Sequence, residues 1–232
     1  MGQDREDLRR DDPVTAGPVT TLRILAGGAA QPLVERLRPT LGFAIDGTFS
    51  AVGAMRDKLL AGEPADLMIL SRALVEGLAK SGHVVASSMA DVATVATAVA
   101  VRAGDPVPVL GDKAGLAAAL EAADEIHFPD PALATAGIHF AKVMRDLGIW
   151  SRVQGRLKLA PNGNTAMRTL AASKARRPIG CTQETEIRAT PGVTLVGPLP
   201  PGCDLTTVYT AAVTTTAQAP AEAAAFIARA KA

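Results

Sequence analysis

Five short stretches of this chain place small, hydroxyl or amide residues where an apolar run gives way to a helical pattern. They are "AGGAA" (Ala26–Ala30), "TFSAVG" (Thr48–Gly53), "DPALATAG" (Asp130–Gly137), "NGNTA" (Asn162–Ala166) and "CTQETE" (Cys181–Glu186). A helix start carries unpaired N–H groups and a partial positive charge, and both attract anions. Gly and Ala let a ligand approach the backbone, while Ser, Thr, Asn and Gln add neutral donors. Several such starts facing one crevice would bind an oxyanion or a carboxylate without Arg or Lys. The candidate binding residues are Gly27, Gly28, Ala29, Ser50, Ala51, Thr135, Ala136, Gly137, Asn164, Thr165, Thr182 and Gln183. Taken singly, each reads equally well as ordinary capping, which favours the same residue types. The case rests on their number and on the fold that gathers them.

Proton-transfer chemistry at such a crevice needs one side chain able to move a proton beside a carbonyl or across an allylic system. Glu184, His139 and Cys181 are the candidates, with His127 behind them. Glu184 lies inside "CTQETE", and His139 falls in the first turn of a predicted helix, two residues past Gly137. Cys181 follows an apolar run and suits a buried position as well. There is no G-x-G-x-x-G fingerprint and no phosphate-binding loop, so nucleotide binding is not expected. His83, His127 and His139 are too widely spaced for a zinc site. No cofactor is expected. Cys181 and Cys203 are too few for a disulfide framework, and whether they pair is open.

The elements that must position these residues alternate along the chain. Leu22–Ala26, "GFAIDGTF", "ADLMIL", "EIHF", "RLKLA", "PIGC" and "VTLVG" read as strands, with helical patterns between them. One such pattern runs through Leu33, Val34, Leu37 and Leu41. Strand–helix alternation implies an α/β fold with mostly parallel sheets flanked by helices. Two segments differ: "DVATVATAVAVRAG" and "TTVYTAAVTT" are long and β-branched, and we read them as two crossings between lobes. The expected lobes are 20–96 plus 206–232, and 97–205. Tyr209 lies on the second crossing, where alternation alone does not say which side it faces.

With 232 residues, 48% of them hydrophobic, the chain is long enough for one large domain or two lobes with real cores. A net charge of +1 and an aromatic content of 3% argue against nucleic-acid binding by a basic face or by stacking. No apolar stretch reaches the ~18 residues of a membrane span. The charged opening "MGQDREDLRRDDPVTAGPVT" lacks an apolar core of signal-peptide type, so residues 1–19 are expected to form a disordered tail. The expected location is cytoplasmic if Met1 is the native start, and periplasmic if a leader was removed.

From Thr20 to Lys231 the chain resembles the molybdate-binding branch of the type 2 solute-binding proteins. The resemblance rests on "LRILAGGAAQPLVERL", "GTFSAVGAM", "AGEPADLMILS" and the ending "GPLPPGCDLTTVYTAAVTTTAQAPAEAAAFIARA". It implies two lobes joined by two crossovers, with the ligand buried between them. Carried over residue by residue, the ligand contacts are Gly28 and Ala29, Ser50 and Ala51, Ala134 to Gly137, and Asn164 to Ala166, with "CTQETE" lining the cleft. The chain departs from that branch where Gly28 and Ala29 stand in place of a serine, and where a cleft tyrosine is missing near "CTQETE". These departures point away from molybdate and toward a small organic carboxylate.

Three readings follow. The first is a monomeric solute-binding protein for a small anion, working with transporter membrane subunits if exported. The second is a cofactor-free isomerase or tautomerase of an unsaturated di- or tricarboxylic acid, since some members of the branch resemble such isomerases. The third is a ligand-sensing regulatory domain that would need a partner.

Overall fold

The computed structural model describes residues 20–231. The tail expected at 1–19 lies outside them. In chain order the elements are β1 (Thr21–Gly27), α1 (Gln31–Leu37), β2 (Ala44–Ser50), α2 (Val52–Leu60), β3 (Leu67–Ser71) and α3 (Arg72–Lys80). Then come β4 (Ala90–Arg102), α4 (Lys113–Ala122), β5 (Glu125–Pro129), α5 (Thr135–Asp146), α6 (Trp150–Val153), β6 (Leu157–Ala160) and α7 (Gly163–Ala172). Last are β7 (Pro178–Gln183), α8 (Glu184–Arg188), β8 (Val193–Pro198), β9 (Thr206–Val213) and α9 (Pro220–Ala230).

The fold is α/β and two-lobed, and β4 shows how the lobes are joined. Its first half, Ala90–Ala96, pairs antiparallel with β9. Its second half pairs with β7 from Thr97 onward and with β8 from Ala98 onward. Hydrogen bonding is therefore continuous along β2-β1-β3-β9-β4-β7-β5-β6, but the strands on either side meet at β4. The pairings β1/β2, β1/β3, β5/β6 and β5/β7 are parallel. Among the described residues every antiparallel pairing between these strands involves β4 or β9, the strands that run back between the lobes. The β-branched residues of both strands favour this long extended path.

Each lobe buries its own apolar core. In lobe one, the continuous run Leu67–Leu70 of β3 packs with Leu22, Ile24, Val75 and Phe226. A strand buried on both faces reads as an unbroken apolar run for this reason. In lobe two, Phe128 and Phe140 meet edge to face, with centroids 5.5 Å apart, among Leu116, Leu120 and Met144. Val95 belongs to the first core and Val99 to the second, so β4 changes surroundings within a few residues. The helix that begins at Gln31 ends at Leu37, earlier than the apolar pattern suggests. Arg38–Thr40, with Pro39 inside, tightens to a 3-10 turn instead, because proline cannot supply the amide that continues an α-helix.

Asp66, in the "AGEPADLMILS" stretch, ties β1 and β3 to the segment after β9. Its buried carboxylate accepts from the Arg23 amide and guanidinium and from the Gln218 and Ala219 amides. Burial alone would raise this carboxyl. The Arg23 contacts and the two later amides outweigh burial and hold it at about 2. Its contribution to stability is present above the ordinary carboxylate range and is lost as pH falls through about 2.

Candidate functional site

The ends of β2, β5 and β7 and the starts of α2, α5 and α7 close around a small cavity between the lobes. Gly28, Ser50, Ala51 and Val52 line it from lobe one. Pro129, Ala134, Thr135, Ala136, Gly163, Thr182, Gln183 and Glu186 line it from lobe two, and Tyr209 joins them from β9. Its volume is about 20 Å³, room for about one water molecule. The first amides of each helix have no partner within their own helix; those of Gly53, Asn164 and Thr165 are taken by the Leu133 carbonyl, Glu186 and Asn162, and the others at the three starts remain as donors.

Hydrogen bonds clasp the lobes around this space. The Gly53 amide donates to the Leu133 carbonyl at 3.0 Å. Asn162 Nδ2 donates to Ser50 Oγ at 3.2 Å, Thr185 Oγ1 to the Ala29 carbonyl at 2.9 Å, and Asn164 Nδ2 to Gln31 Oε1 at 3.4 Å. Asn162 also caps α7, its Oδ1 accepting from the Thr165 amide at 2.9 Å. Asn162→Ala removes both contacts and should lower stability by about 1 kcal/mol, the scale of a lost N-cap, as a shifted urea midpoint with unchanged slope would show.

Of the residues expected from sequence, Gly28, Ser50, Ala51, Thr135, Ala136, Thr182 and Gln183 line the cavity. The other five stand behind it. A Cβ on Gly27 would meet Val52 Cγ1 at 2.7 Å and Tyr209 Cε1 at 2.9 Å, so this glycine lets those two side chains close the wall. Ala29 offers its carbonyl to Thr185. Gly137 seats α5 on the Pro129 and Asp130 carbonyls, where a Cβ would collide. Asn164 reaches across to Gln31. Thr165 gives its amide to Asn162 and accepts from Arg168. Ser50 does not cap α2: it ends β2, Ala51 holds the cap position, and the Ser50 hydroxyl receives Asn162 instead.

None of the proton-transfer candidates lines this cavity, although His139 borders a larger groove beside it. Glu184 pairs with Arg188, which donates from Nε at 2.8 Å, and is partly exposed. His139 Nε2 donates to the Cys203 carbonyl at 2.7 Å. Cys181 is fully buried in the lobe-two core, and burial pushes its thiol well up. His127 is buried on β5 between Thr169 and Glu125, and burial lowers its pKa. Cys181 and Cys203 do not pair with each other. Among the described residues no three His, Cys, Asp or Glu side chains group closely enough to hold a metal ion.

The carboxyl at the cavity is that of Glu186. It sits third in α8, with Gln183 at the cap position. A glutamate third in a helix turns back toward the cap amide, whereas Glu184, first in the helix, points outward to Arg188. Glu186 is 5% exposed, and burial raises its carboxyl from 4.5 to about 7. The Thr182 hydroxyl, which donates to Oε2 at 2.5 Å, and the backbone amides of Gln183 and Asn164 pull the other way without prevailing. Two glycines make room for this carboxyl. A Cβ on Gly28 would collide with Oε1, and one on Gly163 with Oε2 and the Thr182 hydroxyl.

That is the physical reason for glycine in the first loop: a serine at 28 would overlap the Glu186 carboxyl. Tyr209 is buried beside it, and burial together with the Glu186 charge pushes its phenol upward, so it stays protonated. Gln183 donates from Nε2 to Thr207 Oγ1 at 3.1 Å, and its buried Oε1 has no partner among the described residues. The site therefore offers helix amides and a neutral phenol as donors, one buried acceptor, and one carboxyl that is ionised or protonated in comparable amounts near pH 7.

The profile of the bacterial extracellular solute-binding protein family matches residues 22–231. A curated relative, an aconitate isomerase from a Pseudomonas species, is 25% identical over 226 residues, which span 92% of this chain and 83% of that protein. The fold is similar to that of a periplasmic molybdate-binding protein from Azotobacter vinelandii, with a TM-score of 0.74 and 19% identity over 91% of this chain and 93% of that one. A sulfate-binding protein from Mycobacterium tuberculosis gives a TM-score of 0.73 at 19% identity, covering 92% and 82% of the two chains.

Proposed function

We propose that this chain, which belongs to the bacterial extracellular solute-binding protein family, binds a small organic acid in the cavity between its lobes. The observation that carries this reading is the buried Glu186 carboxyl among three helix starts. When protonated, Glu186 donates to a ligand carboxylate in a strong charge-assisted hydrogen bond. A tetrahedral dianion would bring a second charge to a wall that carries no Arg or Lys. Ala51, Val52, Pro129, Ala134 and Ala136 leave the rest of this wall apolar. The family is an extracellular one, which favours the exported alternative over the cytoplasmic one and delivery of the ligand to membrane subunits. Among the described residues no helix is long and apolar enough to cross a membrane.

A thermal-shift series with sulfate, molybdate, and mono-, di- and tricarboxylates tests this. A ligand at ~100 times its dissociation constant adds roughly 2.7 kcal/mol of stability, and at least one carboxylate should do so where both oxyanions fail. Stabilisation by molybdate or sulfate alone would overturn the reading.

A second reading, isomerisation of an unsaturated carboxylic acid, is favoured by the same side chain. A buried carboxyl near 7 matches the working pH of a general acid–base group, and the relative named above is an aconitate isomerase. In this reading Glu186 replaces Glu184, His139 and Cys181 as the group that moves the proton. Deuterium incorporation into a bound unsaturated acid, followed by NMR, should occur in the wild type and stop in Glu186→Gln. A bound acid that never exchanges leaves the binding protein and removes the isomerase.

A further inference from the structure

Immediately outside the cavity lies a second, larger space. Val52 and Thr135 border both, and the outer groove has a volume of about 340 Å³ against about 20 Å³ inside. The inner space admits about one water, so an organic acid whose carboxylate end reaches Glu186 has to extend outward.

The helices that begin at the cavity also build the groove. From Val52, α2 runs outward to Arg56 on the same face, and from Thr135, α5 runs outward to Lys142. At 1.5 Å per residue these cations stand roughly 6 and 10 Å beyond the helix starts, one on each lobe. Both line the groove. Their present partners are weak competitors. Arg56 pairs with its neighbour Asp57 at 2.7 Å, and Lys142 with Asp146, all four side chains being exposed. Exposed pairs of this kind contribute little. Neither aspartate lines the groove, whereas the apolar faces of Leu74 and Ile138 do.

We propose that this groove is the outer half of the binding site and that Arg56 and Lys142 receive a distal carboxylate, so that the ligand is a di- or tricarboxylic acid held by both lobes at once. The proposal rests on the organic-acid reading of the inner cavity and adds the ligand's minimum charge and the residues that read it.

Calorimetry with acetate, a series of four- to six-carbon dicarboxylates and a tricarboxylate tests it, on the wild type and on Arg56→Gln and Lys142→Gln. Di- or tricarboxylates should bind at least about tenfold more tightly than acetate, and each substitution should cost about tenfold toward them. Acetate should lose less than the longer acids do in each variant. Equal binding of acetate and the longer acids, or variants that leave their ratio untouched, would overturn the outer half while the inner reading stands. Failure of every carboxylate to bind the wild type would remove the inner reading, and with it this one.

Discussion

Glu186→Gln is expected to abolish a fall in stability that the wild-type protein undergoes between about pH 4.5 and 7. The sign follows from linkage. In the unfolded chain a glutamate carboxyl releases its proton near 4.5, whereas in the folded protein burial holds Glu186 protonated up to about 7. Across that window the folded state binds one more proton than the unfolded state, so stability declines as pH rises. It levels off once the folded carboxyl has ionised. A shift of this size corresponds to about 3 kcal/mol, order of magnitude. Glutamine keeps an oxygen toward the Thr182 hydroxyl but cannot ionise, so the variant should lack this fall and show only the rise toward pH 6.5 that the buried, lowered His127 contributes, and it should be more stable than the wild type above pH 7. Chemical denaturation at intervals from pH 4.5 to 8 reads the effect directly. A difference between wild type and variant that does not fall over this range would contradict the placement of Glu186.

Gly28→Ser should weaken ligand binding by about a hundredfold or more, a loss of about 2.7 kcal/mol. The substitution restores the hydroxyl that the first loop lacks, yet it should harm rather than help. Its Cβ enters the space held by Glu186 Oε1, and Asn164 Nδ2 stands 3.1 Å from the same point. Displacing the carboxyl drives it into the cavity or breaks its contact with Thr182. Overpacking of this kind also costs about 1–3 kcal/mol of stability. The two side chains are in contact, so their effects should not add. In a Glu186→Ala background the stability cost of Gly28→Ser should largely disappear. Equal costs in both backgrounds would show that Gly28 answers to something other than Glu186.

The features readable in the sequence were those with local causes. The β-branched runs gave the long strands β4 and β9, and the Gly, Ala and hydroxyl residues after strands marked where the chain turns into helices beside the cavity. What could not be read depended on contacts distant in sequence. Whether His139 faced the cleft was decided by the Cys203 carbonyl, 64 residues away. Tyr209 could face either side of β9 until the partners of that strand were fixed. Glu184 and Glu186 both lie in "CTQETE", and of the two only Glu186 lines the cavity. The difference is one of helix position: first in the helix points to solvent, third turns back to the cap. The helix is only five residues long, too short for periodicity to reveal its phase. At Gly28 the sequence suggests room for a ligand, whereas in the structure the chain itself, through Glu186, fills part of that room.

The central claim is that the cavity pairs a ligand carboxylate with a proton held on Glu186. Calorimetric titration at pH 8 in buffers of different ionisation enthalpy tests this most directly, because it counts protons taken up on binding. With Glu186 near 7 in the free protein, uptake should approach one proton per ligand bound. Glu186→Gln should take up none. Binding without proton uptake, or the same uptake in the variant, would contradict the account.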